Sequence, residues 1–487
     1  MSIGEWIRKE REARGLSQAN LARLLDVAQP QLSQWETQRV APSDAKVAHI
    51  RETLGQFDRD LANGTLPSTI RPRSRGRIAR SQKGTAELLE SNLVDTACQD
   101  AAHRIARLKR LASSPEHRVR TAGRFNGIAL FAGCGGMSLG FKRAGVDVRG
   151  FVELERSARA IYEKNFSDAV CLGTDVRAIT TDEVIEWKRA FGNIDVLFGG
   201  PPCQGFSLAG KRNVFDPRNQ LFQNFAQIAT VLQPSIVVLE NVRLLTSMKA
   251  PDGLNVPQHI ERTFEEAGYR CSFEELNAQD FGIPQFRERV FVIGVRRDFS
   301  DASVSFPEPT HGASSGLTLF DAPLLPYATF RDATGDLESL ESGERSDSDP
   351  YHFAVEHPEH VIAWLRDVPE GESAHNNPNP DLRPPCGYNT TYKRIKWDEP
   401  SSTIGTTFGM ISGSRNVHPS NTRSLTIREA MRCQTFPDDF KLCGTRGDIR
   451  TAIGNSVPPL LAEVVARHVI DSILEPSTPK KSRLVSV

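Results

Sequence analysis

Four positions in this chain combine residue types and settings that suit covalent chemistry. Cys203 stands in Gly199-Gly200-Pro201-Pro202-Cys203-Gln204-Gly205-Phe206-Ser207, a loop stiffened by proline and punctuated by glycine. A thiolate in such a loop can serve as a nucleophile, whereas the other seven cysteines read as inert packing groups. Glu240 ends an apolar run, Ile236–Leu239, and offers a carboxylate for proton transfer. Arg287 and Arg289 alternate in Gln285-Phe286-Arg287-Glu288-Arg289, which puts two guanidiniums on one face of an extended segment. Thiol, acid and two cations together point to nucleophilic catalysis on an anionic substrate.

Such groups need a rigid rim to bring them together, and the surrounding pattern supplies one. From Gly127 onward, apolar runs at Ile128–Phe131, Val148–Val152, Ile194–Phe198, Ile236–Leu239 and Val290–Val295 are separated by helix-like stretches such as Ser157–Asn165 and Leu221–Leu232. Alternating strands and helices predict an α/β domain with a parallel sheet covered on both faces. Open sheets of this kind place their sites at the carboxyl ends of the strands. Phe131-Ala132-Gly133-Cys134-Gly135-Gly136 follows the first strand and opens a helix over Met137–Ala144. Glycines there let the backbone approach a ligand closely. Glu153 ends the second strand and Asp175 a third, and a Gly-rich turn followed by an acid about 20 residues on suits a nucleoside.

The 487 residues amount to about three domains at roughly 150 each, and the 39% apolar residues, 46% with the 36 glycines (36/487, 7%), are ordinary for a globular chain. Eight scattered cysteines without CxxC spacing read as reduced thiols, not as a disulfide framework or zinc site. No run of about 18 apolar residues and no apolar leader are present in the sequence, so no membrane partner and a cytoplasmic location are expected. The formal charge is zero, which at face value argues against a nucleic-acid-binding chain. That zero is a sum of opposites: residues 1–124 hold 22 basic and 14 acidic residues, net +8, leaving 38 and 46, net −8, for residues 125–487. Such asymmetry points to nucleic-acid work at one end.

The basic end has its own organisation. Ile3, Trp6 and Ile7 recur at helical spacing, and Ser17 can cap a helix carrying Leu21, Leu24 and Leu25. A break at Asp26-Val27-Ala28 precedes a helix with Pro30 in its first turn and Leu32 and Trp35 facing inward. Two short helices about a tight turn resemble the lambda-repressor-like helix-turn-helix family. That resemblance implies Gln29, Gln31 and Gln34 facing the major groove, where amide side chains pair with adenine. Residues 71–83 carry six positive charges and no negative one, an arm suited to phosphate contact without sequence readout. A helix is expected near Ala101–Leu111.

The ordered motifs of the body resemble the DNA (cytosine-5)-methyltransferases of the bacterial restriction–modification/Dcm type. They are Phe-Ala-Gly-x-Gly-Gly at 131–136, Gly-Pro-Pro-Cys-Gln-Gly-Phe-Ser at 200–207, Glu-Asn-Val at 240–242 and Gln-x-Arg-x-Arg at 285–289. Arg-x-Leu-Thr-x-Arg-Glu-Ala at 423–430, Gln-Thr-Phe-Pro at 434–437 and Gly-Asn-Ser-Val-Pro-Pro at 454–459 complete the set. The resemblance implies a Rossmann-like S-adenosylmethionine-dependent sheet with a loop-rich target-recognition lobe. It implies Cys203 as nucleophile, Glu240 at ring nitrogen 3 of cytosine, Arg287 near the base oxygen, and Arg289 supporting the catalytic loop. For S-adenosylmethionine it implies Phe131, Gly133, Gly135, Gly136, Glu153, Asp175, Leu221, Asn455 and Ser456. For duplex DNA it implies Gln204, Ser207 and Thr403. Ala129 and Leu154 depart from the usual pattern at positions remote from the chemistry.

The expected organisation is therefore an all-α head (1–55), a basic linker (56–124), a catalytic domain (125–297), a proline-rich recognition region (298–422) and C-terminal motifs that complete the catalytic domain (423–487). The expected partners are double-stranded DNA, the protein's own promoter DNA through the head, and a cognate restriction endonuclease acting on the same site. The competing expectations are a transcriptional regulator with a non-catalytic methyltransferase body, and an enzyme acting on RNA.

Overall fold

The computed structural model describes residues 3–13, 21–22, 24–25, 27, 29–36, 41–62, 125–202, 221–243, 254–301, 303–313, 324–412 and 415–477. The chain divides into two compact units, Met1–Lys83 and Gly84–Val487. The expected helix near Ala101–Leu111 and the basic arm at 71–83 lie outside the described residues.

In the first unit, helices Ile3–Ala13, Gln29–Glu36 and Asp44–Ala62 surround a core of Ile7, Leu21, Ala22, Leu25, Leu32, Trp35, Ile50, Leu54 and Phe57. The head therefore runs past residue 55, because Phe57 of the last helix is part of its core. Glu36 is buried and takes a two-point contact from Arg11, Nε to Oε1 at 2.7 Å and Nη2 to Oε2 at 3.1 Å. This pair fixes the end of the second helix against the first.

The second unit is built on a seven-stranded sheet: β1 (Phe125–Leu130), β2 (Val146–Val152), β3 (Val170–Gly173), β4 (Val196–Gly199), β5 (Ile236–Val242), β6 (Tyr269–Asn277) and β7 (Glu288–Arg296). The spatial order is β3-β2-β1-β4-β5-β7-β6. β1 to β5 are parallel, as expected, but β7 enters antiparallel between β5 and β6. The expectation of a wholly parallel sheet is corrected here. Ten residues join β6 to β7, too few for the helical crossover a parallel pair requires, so the chain turns back on itself. β6 itself was not foreseen.

Alternate residues feed the two faces. Ala129, Phe151, Val196, Phe198, Ile236, Val238, Phe291 and Ile293 face a core shared with helices Gly136–Arg143, Arg156–Asn165 and Pro459–Val469. Ile128, Leu130, Val152, Leu197, Val237 and Leu239 face helices Thr181–Phe191, Leu221–Leu232 and Val256–Glu266. Burying each such side chain stabilises the fold by about 1.5–3 kcal/mol, and ring stacks such as Phe141 on Phe198 at 4.1 Å add shape specificity. The C-terminal motifs join this core through Ile427, Ala430, Met431, Cys433 and Phe436, consistent with chain ends that complete one body.

The stretch 298–422 was expected as a separate lobe. Instead Phe330, Phe353, Ile395, Ile404 and Phe408 enter the main core, while Val361, Leu365, Val368, Ala374, Ile411 and Val417 form a small cluster of their own. Prolines limit regular helices and strands in this stretch but do not keep its apolar residues from reaching the sheet.

Candidate active site

The carboxyl ends of β1, β2, β4 and β5 form the rim where the chemistry gathers. β4 ends at Gly199, paired with Leu239 of β5, so Gly200 and Glu240 are neighbours. A Cβ on Gly200 would lie 2.9 Å from Glu240 Oε2. Asn241 Nδ2 donates to the Pro201 carbonyl at 2.9 Å, fixing the start of the loop. Cys203, Gln204 and Ser207 lie outside the described residues.

Glu240 is 9% exposed and stands beside β7, where it faces Phe291 in register. Arg289 Nε approaches Glu240 Oε1 at 2.8 Å. Burial raises the Glu240 carboxyl above its ordinary value, while the charges of Arg289 and Arg287 pull it back. Two cations around one carboxylate leave a net positive, nearly dry site, suited to charge moving onto a heterocycle.

Of the two arginines, one meets the acid and the other does not. Arg289, not Arg287, holds the acid. Arg287 is 1% exposed and its guanidinium is taken up by backbone carbonyls: Nη1 donates to Ile404 O at 2.9 Å, and Nη2 to Gly454 O at 2.9 Å and Ser456 O at 2.8 Å. Spacing puts both side chains on one face but does not say which meets the acid.

The turn after β1 is shaped for a ligand. Phe131 has φ 52°, a left-handed value costly for a side chain, and Gly133 and Gly135 have φ 56° and 100°. Gly136 opens the helix with no room for a Cβ, which would run into the Ser456 hydroxyl and the Val457 carbonyl. Glu153 is buried and accepts from Gly133 N and Glu155 N, each at 2.7 Å. Burial raises its carboxyl and those two amides draw it down. Each carboxylate oxygen keeps a lone pair for a further donor such as a ribose hydroxyl.

Asp175 accepts from its neighbour Arg177, and that hydrogen bonding lowers its carboxyl below the usual value. Leu221 is buried at the start of its helix, which packs on the turn Val176–Ala178. Asn455 is exposed at the end of helix Arg446–Asn455, and Ser456 follows it half-buried. A buried acid beside a tight glycine turn, with a second acid two residues past the end of the next strand, fits the adenosine half of S-adenosylmethionine.

Thr403 is exposed; its hydroxyl donates to Phe286 O at 2.7 Å, while Phe286 N donates to Ser401 O at 2.8 Å. Sequence reasoning gave no role to Gln285 or Gln434, yet they form a buried knot. Gln285 Oε1 accepts from Ile404 N at 2.7 Å, its Nε2 donates to Gln434 Oε1 at 2.9 Å, and Gln434 donates to Ile453 O at 2.7 Å. Only their placement inside two of the motifs marked them. In the head, Gln31 and Gln34 are exposed on helix Gln29–Glu36; the Gln29 side chain is outside the described set.

Residues 125–471 match the family model for C-5 cytosine-specific DNA methylases. The chain belongs to that family. Type II methyltransferase M1.HphI of Haemophilus parahaemolyticus is 36% identical over 348 residues, spanning 70% of this chain and 86% of the relative. M.DdeI of Desulfomicrobium norvegicum is 30% identical over 382 residues, 71% and 88% of the two chains. The crystal structure of a candidate DNA modification methyltransferase encoded within an E. coli prophage shares the fold, with TM-score 0.56 and 24% identity over 72% of this chain and 99% of that one. Residues 7–56 match a helix-turn-helix model, so this methylase carries a second DNA-binding module. Cytosine in DNA is its substrate and S-adenosylmethionine its methyl donor. Among the described residues no helix is long and apolar enough to cross a membrane.

Proposed function

We propose that this methylase modifies carbon 5 of a flipped-out cytosine through a covalent bond from Cys203 to the base. The Glu240–Arg289 pair at 2.8 Å, beside the root of the Cys203 loop, carries this reading. Carbon 5 of cytosine is a weak nucleophile, and it gains electron density only when a nucleophile adds at carbon 6. Cys203, as thiolate, forms that carbon–sulfur bond and the displaced pair moves toward carbon 5. Glu240, raised by burial and steadied by Arg289, offers its proton or a hydrogen bond to ring nitrogen 3. S-adenosylmethionine supplies an electrophilic methyl group when bound, and the turn Phe131–Gly136, with Glu153, Asp175, Leu221, Asn455 and Ser456, would hold it. Loss of the carbon-5 proton to a base then returns electrons to the ring and expels the thiolate. The base must leave the duplex first, at a cost of roughly a few kcal/mol. Thr403, Gln204 and Ser207 are assigned to support of the opened duplex.

The relatives' Type II names support a modification role paired with a cognate endonuclease at the same site. The helix-turn-helix match and the exposed Gln31 and Gln34 favour a head that reads DNA, and the DNA assigned to it is that upstream of the protein's own gene, whose transcription it would repress. Purified protein should transfer a labelled methyl group to duplex DNA, and Cys203→Ser should abolish transfer. Full activity in that variant would refute the covalent reading. Bisulfite sequencing of DNA from a methylation-free host expressing the chain identifies the site and the product together.

A further inference from the structure

Arg287, expected near the base oxygen, instead turns both Nη nitrogens to backbone carbonyls inside the protein, while its buried Nε has no hydrogen-bond partner among the described residues. Its three carbonyl partners belong to two segments far apart in the chain: Ile404 in the recognition region, and Gly454 and Ser456 in the C-terminal turn. The two segments are also in direct contact, because a Cβ on Gly454 would collide with the backbone of Gly405 and Thr406. On the cofactor side, the Ser456 hydroxyl occupies the space a Cβ of Gly136 would need. On the DNA side, Ile404 follows Thr403, which is hydrogen bonded to Phe286, the residue before Arg287. Two residues after Arg287, Arg289 grips Glu240. A continuous path of packed and hydrogen-bonded atoms thus runs from the cofactor turn, through one buried guanidinium, to the segment expected against DNA.

We propose that Arg287 is a positioning residue that couples cofactor binding to DNA binding. A ligand that orders the Gly136–Ser456 junction fixes the two carbonyls on one side of the guanidinium. The planar fork then has one orientation left for the carbonyl of Ile404, which sets Thr403 for the duplex. By linkage, DNA that orders Thr403 must tighten cofactor binding by the same factor. Lysine at 287 would keep charge and length but replace the planar fork with a point charge that cannot hold the three carbonyls in the same fixed geometry. This inference rests on the methyl-transfer reading for the identity of its two ligands.

The test is calorimetric titration of S-adenosylhomocysteine into the full-length protein, with and without a duplex carrying the site found by bisulfite sequencing. Wild type should bind the cofactor product about 5–150-fold more tightly with DNA present, the usual span of coupling between sites. In Arg287→Lys that ratio should fall to about one, while thermal unfolding shows the variant folded. A purely structural Arg287 would lower thermal stability and leave the ratio unchanged, which overturns the proposal, as does a wild-type ratio of one. Hydrogen exchange on the wild type gives a second reading that needs no variant. S-adenosylhomocysteine alone should slow exchange across residues 401–408, and no protection there overturns the coupling. If wild type transfers no methyl group to any duplex, the catalytic reading fails separately from the coupling.

Discussion

Arg289→Met isolates the central ion pair. The variant keeps the aliphatic stem and removes the cation 2.8 Å from Glu240, at a site where the two side chains are only 13% and 11% exposed. Breaking a buried pair by deleting one partner costs about 3–5 kcal/mol, because the remaining charge stays desolvated. At roughly 2 °C per kcal/mol for a body of this size, the melting temperature should fall by about 6–10 °C. The loss should depend on pH with a definite sign. Burial already holds the Glu240 carboxyl above 4.5, and Arg289 is the first influence opposing that rise. With methionine at 289 the folded-state value climbs further above the unfolded one. An acid shifted upward penalises the fold above its folded value, and the penalty fades as pH falls toward 4.5. Urea unfolding of both proteins at pH 8, 7, 6 and 5 should therefore show the gap narrowing toward acid. A gap below about 1 kcal/mol that stays constant with pH would mean the pair behaves as a solvated surface contact, and the dry-site reasoning would fall.

Gly136→Ala puts a methyl group where Ser456 and Val457 already stand; it should weaken S-adenosylhomocysteine binding about 10-fold or more in calorimetry, matching overpacking of at least roughly 1.4 kcal/mol. Glu429 is buried, which raises its carboxyl, yet Arg423 at 2.8 Å through both nitrogens, with His418 and the Thr426 amide, lowers it to about 2. Its stabilisation should be intact above pH 4.5 and drain away between 4.5 and 2, and Arg423→Met should cost about 3–5 kcal/mol at neutral pH in urea unfolding. Deleting residues 1–62 should leave methyl transfer to duplex DNA in place but abolish gel retardation of DNA from upstream of the gene; unchanged retardation would remove the regulatory role.

Much of the site was legible because its residues lie in apolar or glycine-rich settings that repeat with strand and helix periods. The runs beginning near Ile128, Val148, Ile194, Ile236 and Val290 all became strands, and Leu221–Leu232 became a helix with those bounds. β6 escaped notice because Tyr269–Asn277 mixes charges into an edge strand that is half-exposed along most of its length. The direction of β7 was hidden for a different reason: an apolar strand reads the same whichever way it runs. Which arginine meets Glu240 depends on that direction and on register, since Arg289 pairs with Val242. The knot of Gln285 and Gln434 joins residues 149 apart, a separation no local pattern carries.

The reversed strand has a consequence for how this enzyme changes its sequence preference. β7 begins at the rim beside Val242 and ends at the opposite end of the strands, where Val295 faces Ile236. The chain leaves for the expected recognition region from that far end, meets the body at Asp280 through Thr310 and His311, packs Phe330 and Phe353 into the main core, and rejoins it at Ile395 and at Ser401, which bridges Gln285. Between Phe353 and Ile395 no buried residue joins the main core, and the polypeptide there is an excursion whose length does not set the position of either end. Doubling such an excursion costs only about 0.6 kcal/mol of closure entropy. The stretch Val361–Ala374, which packs in the small cluster and adds nothing to the main core, can therefore vary in length and sequence while the acid, its arginine and the cofactor turn stay where they are.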